Sequence, residues 1–328
     1  MSGVPVFVSW PGYDPDDAAT GRRLVEAGHR LVLEPKLGAR SPDDLVRLAR
    51  ECHAAIVSTD PFTAEVLAAL DELRVIARVG VGVDSIDRDA ADRRGVAITI
   101  TPDMNAETVA DHTLALILAA TRKVAAQDAS VRAGGWDRVG PLTPGELPGK
   151  TVGLVGAGAI GRAVAARLRG FGVAIVFVDE RVDALPGARR LDDLDALLAI
   201  ADIVTLHAPL TEATRHLIDA HALARMKPCS LLVNTARGGL VDQAAVFEAL
   251  RAGHLGAAAL DVFEVEPPDP AAFEGIPNLV LSPHLGGLSH ESIARMTASA
   301  TDSVLAVLSG RLPETAINAA ALATKERS

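Results

Sequence analysis

The sequence predicts an α/β protein of two domains, each built on a parallel sheet, and three observations carry that prediction. Short β-branched runs alternate with helical patterns along almost the whole chain, which is how strand–helix–strand units read. The 328 residues suggest about two domains of ordinary size. Hydrophobic residues make up 49% of the chain but aromatics only 3%, so Ala, Val, Leu and Ile must fill the cores. That bias suits buried parallel strands with small-residue helices packed on them.

Taken in order, the first hundred residues hold predicted strands at 4–8, 30–33, 54–58, 75–79 and 96–99. Helical patterns lie between them at 16–27, 42–50, 63–70 and 86–93. One long apolar helix is then expected over about 105–125, with Asn105 as its N-cap. The stretch GPLTPGELPG at 140–149 reads as loop. A second series of strands follows at 151–155, 174–179, 203–206, 231–234, 257–262 and 279–282. The last helix, about 289–308, leads into no further strand and could cross back to the first domain; a frayed tail is expected after Ala319.

Composition also excludes several classes of function. The formal charge is −10, from 32 basic and 42 acidic residues, with no basic block. Such a surface repels nucleic acid and anionic membranes. The two cysteines, Cys52 and Cys229, form no CxxC pair, and no His/Cys cluster has zinc spacing, so no metal is expected. Both read as buried free thiols in a reducing cytosol. The N-terminus lacks the basic and apolar segments of a signal peptide, and the strongest apolar stretch, 113–121, is too short to span a bilayer. These features place the chain in the cytoplasm.

The strand at 151–155 runs directly into GAGAIG at 156–161, a helix follows, and the next strand ends at Asp179, 18 residues past Gly161. Gly156 permits the tight turn, and Gly158 lets backbone approach a pyrophosphate. Gly161 lets helix and strand lie close together, while the helix N-terminus at Ala159 and Ile160 offers N–H groups to phosphate oxygens. Asp179 can accept both hydroxyls of a ribose. A lone GxGxxG is often only a Gly-rich turn, but strand, loop, helix and acid all stand at dinucleotide-binding spacing here. Asp179 would repel a 2′-phosphate, favouring NAD over NADP, although Arg181 nearby speaks for a phosphate.

Three more polar residues follow strands of the same series: Arg237 in NTARGGLVD, Glu266 in DVFEVEPP and His284 in SPHLGG. In an open parallel sheet, ligands bind outside the carboxyl ends of the strands, so all three should share an edge with the Gly loop. The trio suits hydride transfer at C2 of a 2-hydroxy or 2-keto acid. His284 would move the hydroxyl proton, Glu266 would orient the ring and stabilise its charge, and Arg237 would hold a carboxylate and polarise the carbonyl. Taken singly, Arg237 could be a surface ion pair, Glu266 a solvated acid and His284 a structural loop residue.

At these residues the sequence resembles the D-isomer-specific 2-hydroxyacid dehydrogenases, over about 75–308. The resemblance rests on RVGVGVDSID (78–87), GAGAIG, HAPLTEAT (207–214), NTARGGLVD (233–241) with Asp242, LDVFEVEPP (260–268) and PHLGG (283–287). It implies Arg237, Glu266 and His284 as the catalytic trio. Backbone N–H groups at Gly80 and Val81 would bind the substrate carboxylate, and Asn105 would lie near the cleft. It also implies that Asp261 meets the nicotinamide carboxamide and that His207 and Pro209 lie along the adenosine, with Thr214, Thr235, Ala236 and Gly286 completing the cofactor lining. For His207 and Pro209 a plain strand-to-loop transition remains the alternative.

The resemblance further implies two Rossmann-like or flavodoxin-like domains with an interdomain active-site cleft. Residues 1–102 and 291–328 would form the substrate domain and 103–290 the NAD domain, with homodimerisation through the latter. Two expected departures weigh against a phosphoglycerate substrate without excluding it: phosphoglycerate enzymes often place an arginine near Ser58, where this chain has none, and no regulatory domain is expected after Ser328. An NAD-sensing corepressor and a phosphite- or formate-type dehydrogenase are the alternatives. Formate enzymes carry Gln where this chain has Glu266.

Overall fold

A computed structural model describes residues 3–136 and 138–325. The chain divides into two compact units, Met1–Asn105 with Ser289–Ser328, and Ala106–Leu288.

In the first unit, strands β1 (Pro5–Val8), β2 (Arg30–Leu33), β3 (Ala54–Val57), β4 (Val75–Arg78) and β5 (Ala97–Thr99) form a parallel sheet of order β2-β1-β3-β4-β5. This is a flavodoxin-like winding. Both faces are buried, and alternate residues show it: Ala54 and Ile56 join one core with Leu24, Met296 and Val304, while Ala55 and Val57 join another with Leu45, Leu67 and Ile98. Helices start where capping side chains allow. Ser41 accepts from Asp44 N–H ahead of Pro42–Ala49, Asp87 from Ala90 N–H ahead of Arg88–Arg94, and Ser289 forms a capping box with Ser292 ahead of His290–Leu308.

The expected frayed tail is ordered instead, with a helix at Ala319–Lys325; residues 326–328 lie outside the described residues. The segment before it pairs with the edge of β5. Ala316 bridges Thr99 antiparallel, and buried Asn318 accepts from Ile98 N–H (2.9 Å) while donating to Val96 C=O (2.9 Å). A sheet edge that would otherwise be open is thereby satisfied.

In the second unit, β6 (Thr151–Val155), β7 (Ala174–Val178), β8 (Arg189–Arg190), β9 (Ile203–Leu206), β10 (Ser230–Asn234), β11 (Leu255–Leu260) and β12 (Leu279–Leu281) give a parallel sheet of order β12-β11-β10-β9-β6-β7-β8. The winding reverses between β6 and β9, the switch point at which such sheets bind ligands. Its register fixes the functional edge. Val178, Val155, Leu206, Asn234, Leu260 and Leu281 are successive partners, so six neighbouring strands end flush.

Three further sequence expectations need correction. The long helix is two, Ala106–Arg122 and Val124–Arg132, broken at Lys123 with φ 55°. Lys123 Nζ and Gln127 Nε2 there donate to the carbonyls of Pro141 and Leu142, tertiary contacts that periodicity does not reveal. The helix expected at 16–27 is only Gly21–Glu26, because the Asp14 and Asp17 carboxylates cap turns by accepting from Asp16 and Ala19 N–H. Cys52 is buried, but Cys229 is exposed on a left-handed turn (φ 62°) before β10.

Candidate active site on the edge of the second sheet

Because the six strands end flush, the residues that follow them form a line: Asp179, Gly156, His207, Thr235, Asp261 and Ser282. At roughly 4.8 Å per strand, about 24 Å of edge is dressed with polar and glycine residues.

The glycine loop behaves as its spacing requires. Gly156 takes φ 101°, and a Cβ there would strike the His207–Ala208 backbone at 2.8 Å. At Gly161 a Cβ would meet Gly156 C=O at 2.3 Å, so only glycine lets the helix Ala159–Leu168 begin against the turn. Gly158 differs: a Cβ would meet nothing within 4 Å. Bare backbone at the start of a ten-residue helix fits a pyrophosphate, so the loop is shaped to take a dinucleotide.

Asp179 anchors this loop. Its Oδ2 accepts from Ala157 N–H (2.7 Å), and its Oδ1 from Arg181 and Val182 N–H (2.8 and 2.9 Å). Burial alone would raise its pKa, but these backbone donors outweigh burial and hold the carboxyl below the usual range. It therefore stays charged, and one lone pair on Oδ2 remains for a ribose hydroxyl. Of the nearby arginines, Arg190 donates to the Asp179 carbonyl (3.0 Å), tying β8 to the loop.

His207 packs behind Gly161, and burial pushes its pKa down to about 3. The ring is neutral, with Nε2 shared with Thr205 Oγ1 (3.1 Å) and a buried Nδ1 that has no partner among the described residues. Pro209 is exposed, and Thr214 Oγ1 donates to its carbonyl (2.7 Å), closing the loop after β9. Thr235 spends its hydroxyl on buried Thr113 (2.9 Å), and Ala236 N–H donates to Asn234 Oδ1 (3.0 Å).

The next three strand ends hold the ionisable groups. Asn234 donates through Nδ2 to Arg237 C=O (2.8 Å), pinning the turn that carries the guanidinium. Gly238 beside it lies so close to Phe263 that a Cβ would overlap its carbonyl, so the loops after β10 and β11 interlock. From the latter loop, Glu266 accepts Phe263 N–H on Oε1 (3.0 Å) and meets His284 Nδ1 with Oε2 at 2.6 Å. That contact commits Nδ1, so Nε2 is the nitrogen of His284 that could meet a ligand. The predicted acid and imidazole are thus in contact, both partly exposed.

Asp261 is held differently from a surface ligand. It is 1% exposed, and it accepts from Ser282 Oγ–H (2.6 Å), Leu285 N–H (3.0 Å) and Gly286 N–H (2.8 Å). His112 Nε2 lies 3.3 Å from Asp261 Oδ1 and 2.9 Å from Ser282 Oγ. Sequence reading assigned no role to His112 or Ser282. The only signal was one imidazole within the apolar helix ADHTLALILAATR.

Gly80, Val81 and Asn105 belong to the first unit. Gly80 takes φ 136°, and its N–H already donates to Thr101 Oγ1 (2.9 Å), whereas Val81 is exposed. In the same unit buried Asp60 accepts from Ser9 Oγ–H (2.5 Å) and pairs with Arg40 (3.1 Å), joining the turns after β1 and β3. Among the described residues no cluster of His, Cys, Asp or Glu could hold a metal, and no helix is long and apolar enough to cross a membrane.

Comparison with known proteins agrees with this geometry. Residues 114–286 match the profile described as D-isomer specific 2-hydroxyacid dehydrogenase, NAD binding domain. A D-3-phosphoglycerate dehydrogenase of Mycobacterium bovis is 42% identical over 280 residues, covering 84% of this chain and 53% of that protein. The chain therefore spans about half the length of the phosphoglycerate dehydrogenases it matches. A glyoxylate reductase of Thermofilum pendens is 41% identical over 304 residues, 90% of each chain. Among solved structures, the TT0316 protein of Thermus thermophilus superposes with a TM-score of 0.88 at 39% identity, covering 95% of this chain and 99% of that one. With its NAD-binding domain matched and its strand-end residues in place, the chain belongs to the D-isomer specific 2-hydroxyacid dehydrogenase family.

Proposed function

We propose that this protein transfers a hydride between NAD(H) and C2 of a small D-2-hydroxy or 2-keto acid. The observation that carries the reading is the 2.6 Å contact between His284 Nδ1 and Glu266 Oε2, on the same sheet edge as the glycine loop and Asp179. Bound NADH supplies the hydride. In reduction, His284 Nε2–H gives its proton to the C2 oxygen, and Glu266 steadies the ring and the charge it carries. In oxidation the same nitrogen accepts that proton. Arg237 offers a fork of N–H donors to the substrate carboxylate and carbonyl.

Supporting residues complete this reading. Gly80 and Val81 bind the carboxylate through backbone N–H groups, with Asn105 beside the substrate; the N–H of Gly80 must then share or leave Thr101 Oγ1. Residues 1–102 and 291–328 act as the substrate domain and 103–290 as the NAD domain. Asp261 supports the carboxamide end of the cofactor, and His207 and Pro209 its adenosine end. Asp179 favours NAD over NADP.

The protein is a homodimer through the NAD domain. This is supported by the helix Val124–Arg132, which buries none of its residues, and by exposed Trp136 and Val139 beyond it. Two free thiols fit the reducing cytoplasm. The test is NADH oxidation with a panel of glyoxylate, hydroxypyruvate, pyruvate and phosphorylated hydroxypyruvate. Absence of turnover on every 2-keto acid, with NADH bound, would favour a sensor.

A further inference from the structure

The loop that carries His284 is not self-supporting. His284 is a non-glycine residue at φ 51°, in the left-handed region, where a side chain is strained. Its N–H donates to Asp261 C=O (2.7 Å), and the next two N–H groups, Leu285 and Gly286, donate to the Asp261 carboxylate. One buried acid therefore dictates the path of the loop on both sides of the ring.

Proton counting fixes the roles around that acid. Burial would raise the Asp261 pKa, but hydrogen bonds from His112, Ser282, Gly286 and Leu285 outweigh it and hold the group below its usual range, so it is ionised and can only accept. Ser282 has a single hydroxyl proton, and the 2.6 Å contact sends it to Asp261 Oδ1. Towards Ser282 Oγ, 2.9 Å away, His112 Nε2 must then be the donor, with Asp261 Oδ1 at 3.3 Å as second acceptor. His112 thus carries its proton on Nε2 and delivers it into the buried network from the helix Ala106–Arg122. Packing confirms how closely the parts fit: a Cβ on Gly286 would come within 2.8 Å of Asp261 Oδ2 and 3.3 Å of His112 Cδ2.

We propose that His112 is a positioning residue for His284, acting through Ser282 and Asp261 to hold the 283–287 loop in its strained conformation. The proposal rests on the reading of His284 as the acid/base. Without the Nε2–H donor, Ser282 loses one of its two partners, and buried Asp261 loses one of the donors that outweigh its burial. The loop can then relax His284 towards an ordinary backbone conformation and away from Glu266.

The test compares His112→Ala with His112→Gln, whose amide nitrogen restores a donor at similar reach. Two readouts are taken: hydrogen exchange at the Leu285 and Gly286 amides, and kcat, KM and NADH Kd with a 2-keto acid. In His112→Ala, exchange should quicken at least about 10-fold. The kcat should fall roughly 10- to 100-fold, as when outer partners of ligating histidines are removed. Substrate KM should stay within about threefold. His112→Gln should recover both readouts. If His112→Ala does not fold, Ser282→Ala breaks the same link and should reproduce both changes.

Slow exchange and full kcat in His112→Ala, or a Gln variant no better than Ala, would overturn the proposal. A His284→Ala control separates the two ideas. If that variant retains turnover, the acid/base reading has failed; if it is dead while His112→Ala is active, only the positioning role has.

Discussion

Replacing Asp179 by Asn isolates what one charge does for the cofactor loop. The carboxylate takes three backbone N–H groups, from Ala157, Arg181 and Val182, at 2.7–2.9 Å. An amide has one oxygen, and its better orientation keeps that oxygen on Arg181 and Val182. The NH₂ group then faces the Ala157 N–H, donor against donor, at a distance fit only for a hydrogen bond. Ala157 is fully buried, so water cannot take over. An unsatisfied buried donor costs about 1–3 kcal/mol. Loss of the charged acceptor for the ribose removes a further contact of about 1.5–3 kcal/mol. The sum, about 2.5–6 kcal/mol, shared between stability and binding, predicts at least a ~10-fold loss in kcat/KM for NADH. NADPH should gain little, because relief of repulsion is offset by a loop that has lost its anchor. The assay is kcat/KM for both cofactors together with thermal melting. An Asn variant within about twofold of wild type on NADH would refute the reasoning, and a switch to strong NADPH use would show that the loop does not depend on Asp179.

The last two glycines of the loop should separate stability from binding. Gly158→Ala, with nothing within 4 Å of the new methyl, should melt like wild type but bind NADH at least ~10-fold more weakly, whereas Gly161→Ala, 2.3 Å from Gly156 C=O, should lose both, as fluorescence titration and melting curves would tell. Arg237→Lys should lower kcat/KM for the keto acid by about 100-fold, or ~3 kcal/mol, with NADH Kd nearly unchanged, because a point charge cannot replace the fork; parallel losses in both would mark a structural role. His207 sets a pH dependence. Its folded pKa, pushed down to about 3 by burial, lies below an unfolded value of about 6.5, so the unfolded chain binds a proton that the folded one refuses. Its contribution to stability therefore falls as pH drops below about 6.5, by about 2 kcal/mol at pH 5. Urea unfolding at pH 7 and pH 5 should show a smaller acid loss in His207→Gln than in wild type, and equal losses would refute it.

The strands were legible because strands buried on both faces must be short apolar runs, and the turn residues around them are polar. Two elements carried no such signal. The pair Arg189–Arg190 is an exposed edge strand made by contacts: Leu191 N–H reaches Phe177 C=O, and Arg190 reaches the Asp179 carbonyl. The ordered tail depends on Asn318 completing backbone groups of Val96 and Ile98 more than 200 residues earlier. No local pattern encodes a partner that distant.

The ionisable groups of the site divide along the same line, and for a physical reason. Arg237, Glu266 and His284, the groups assigned to substrate in the proposed reaction, stand out in the sequence as polar residues past apolar strands. Asp261 occupies an equivalent address, yet three of its hydrogen bonds point inward to Ser282, Leu285 and Gly286. Strand-end position is therefore a statement about the edge, and it does not distinguish a group that meets the ligand from one that holds its neighbour. Burial and donor count make that distinction. A carboxylate 1% exposed is held by the donors around it, whereas partly exposed His284 commits one nitrogen to Glu266 and leaves the other for the proton transfer that the proposed reaction assigns to it.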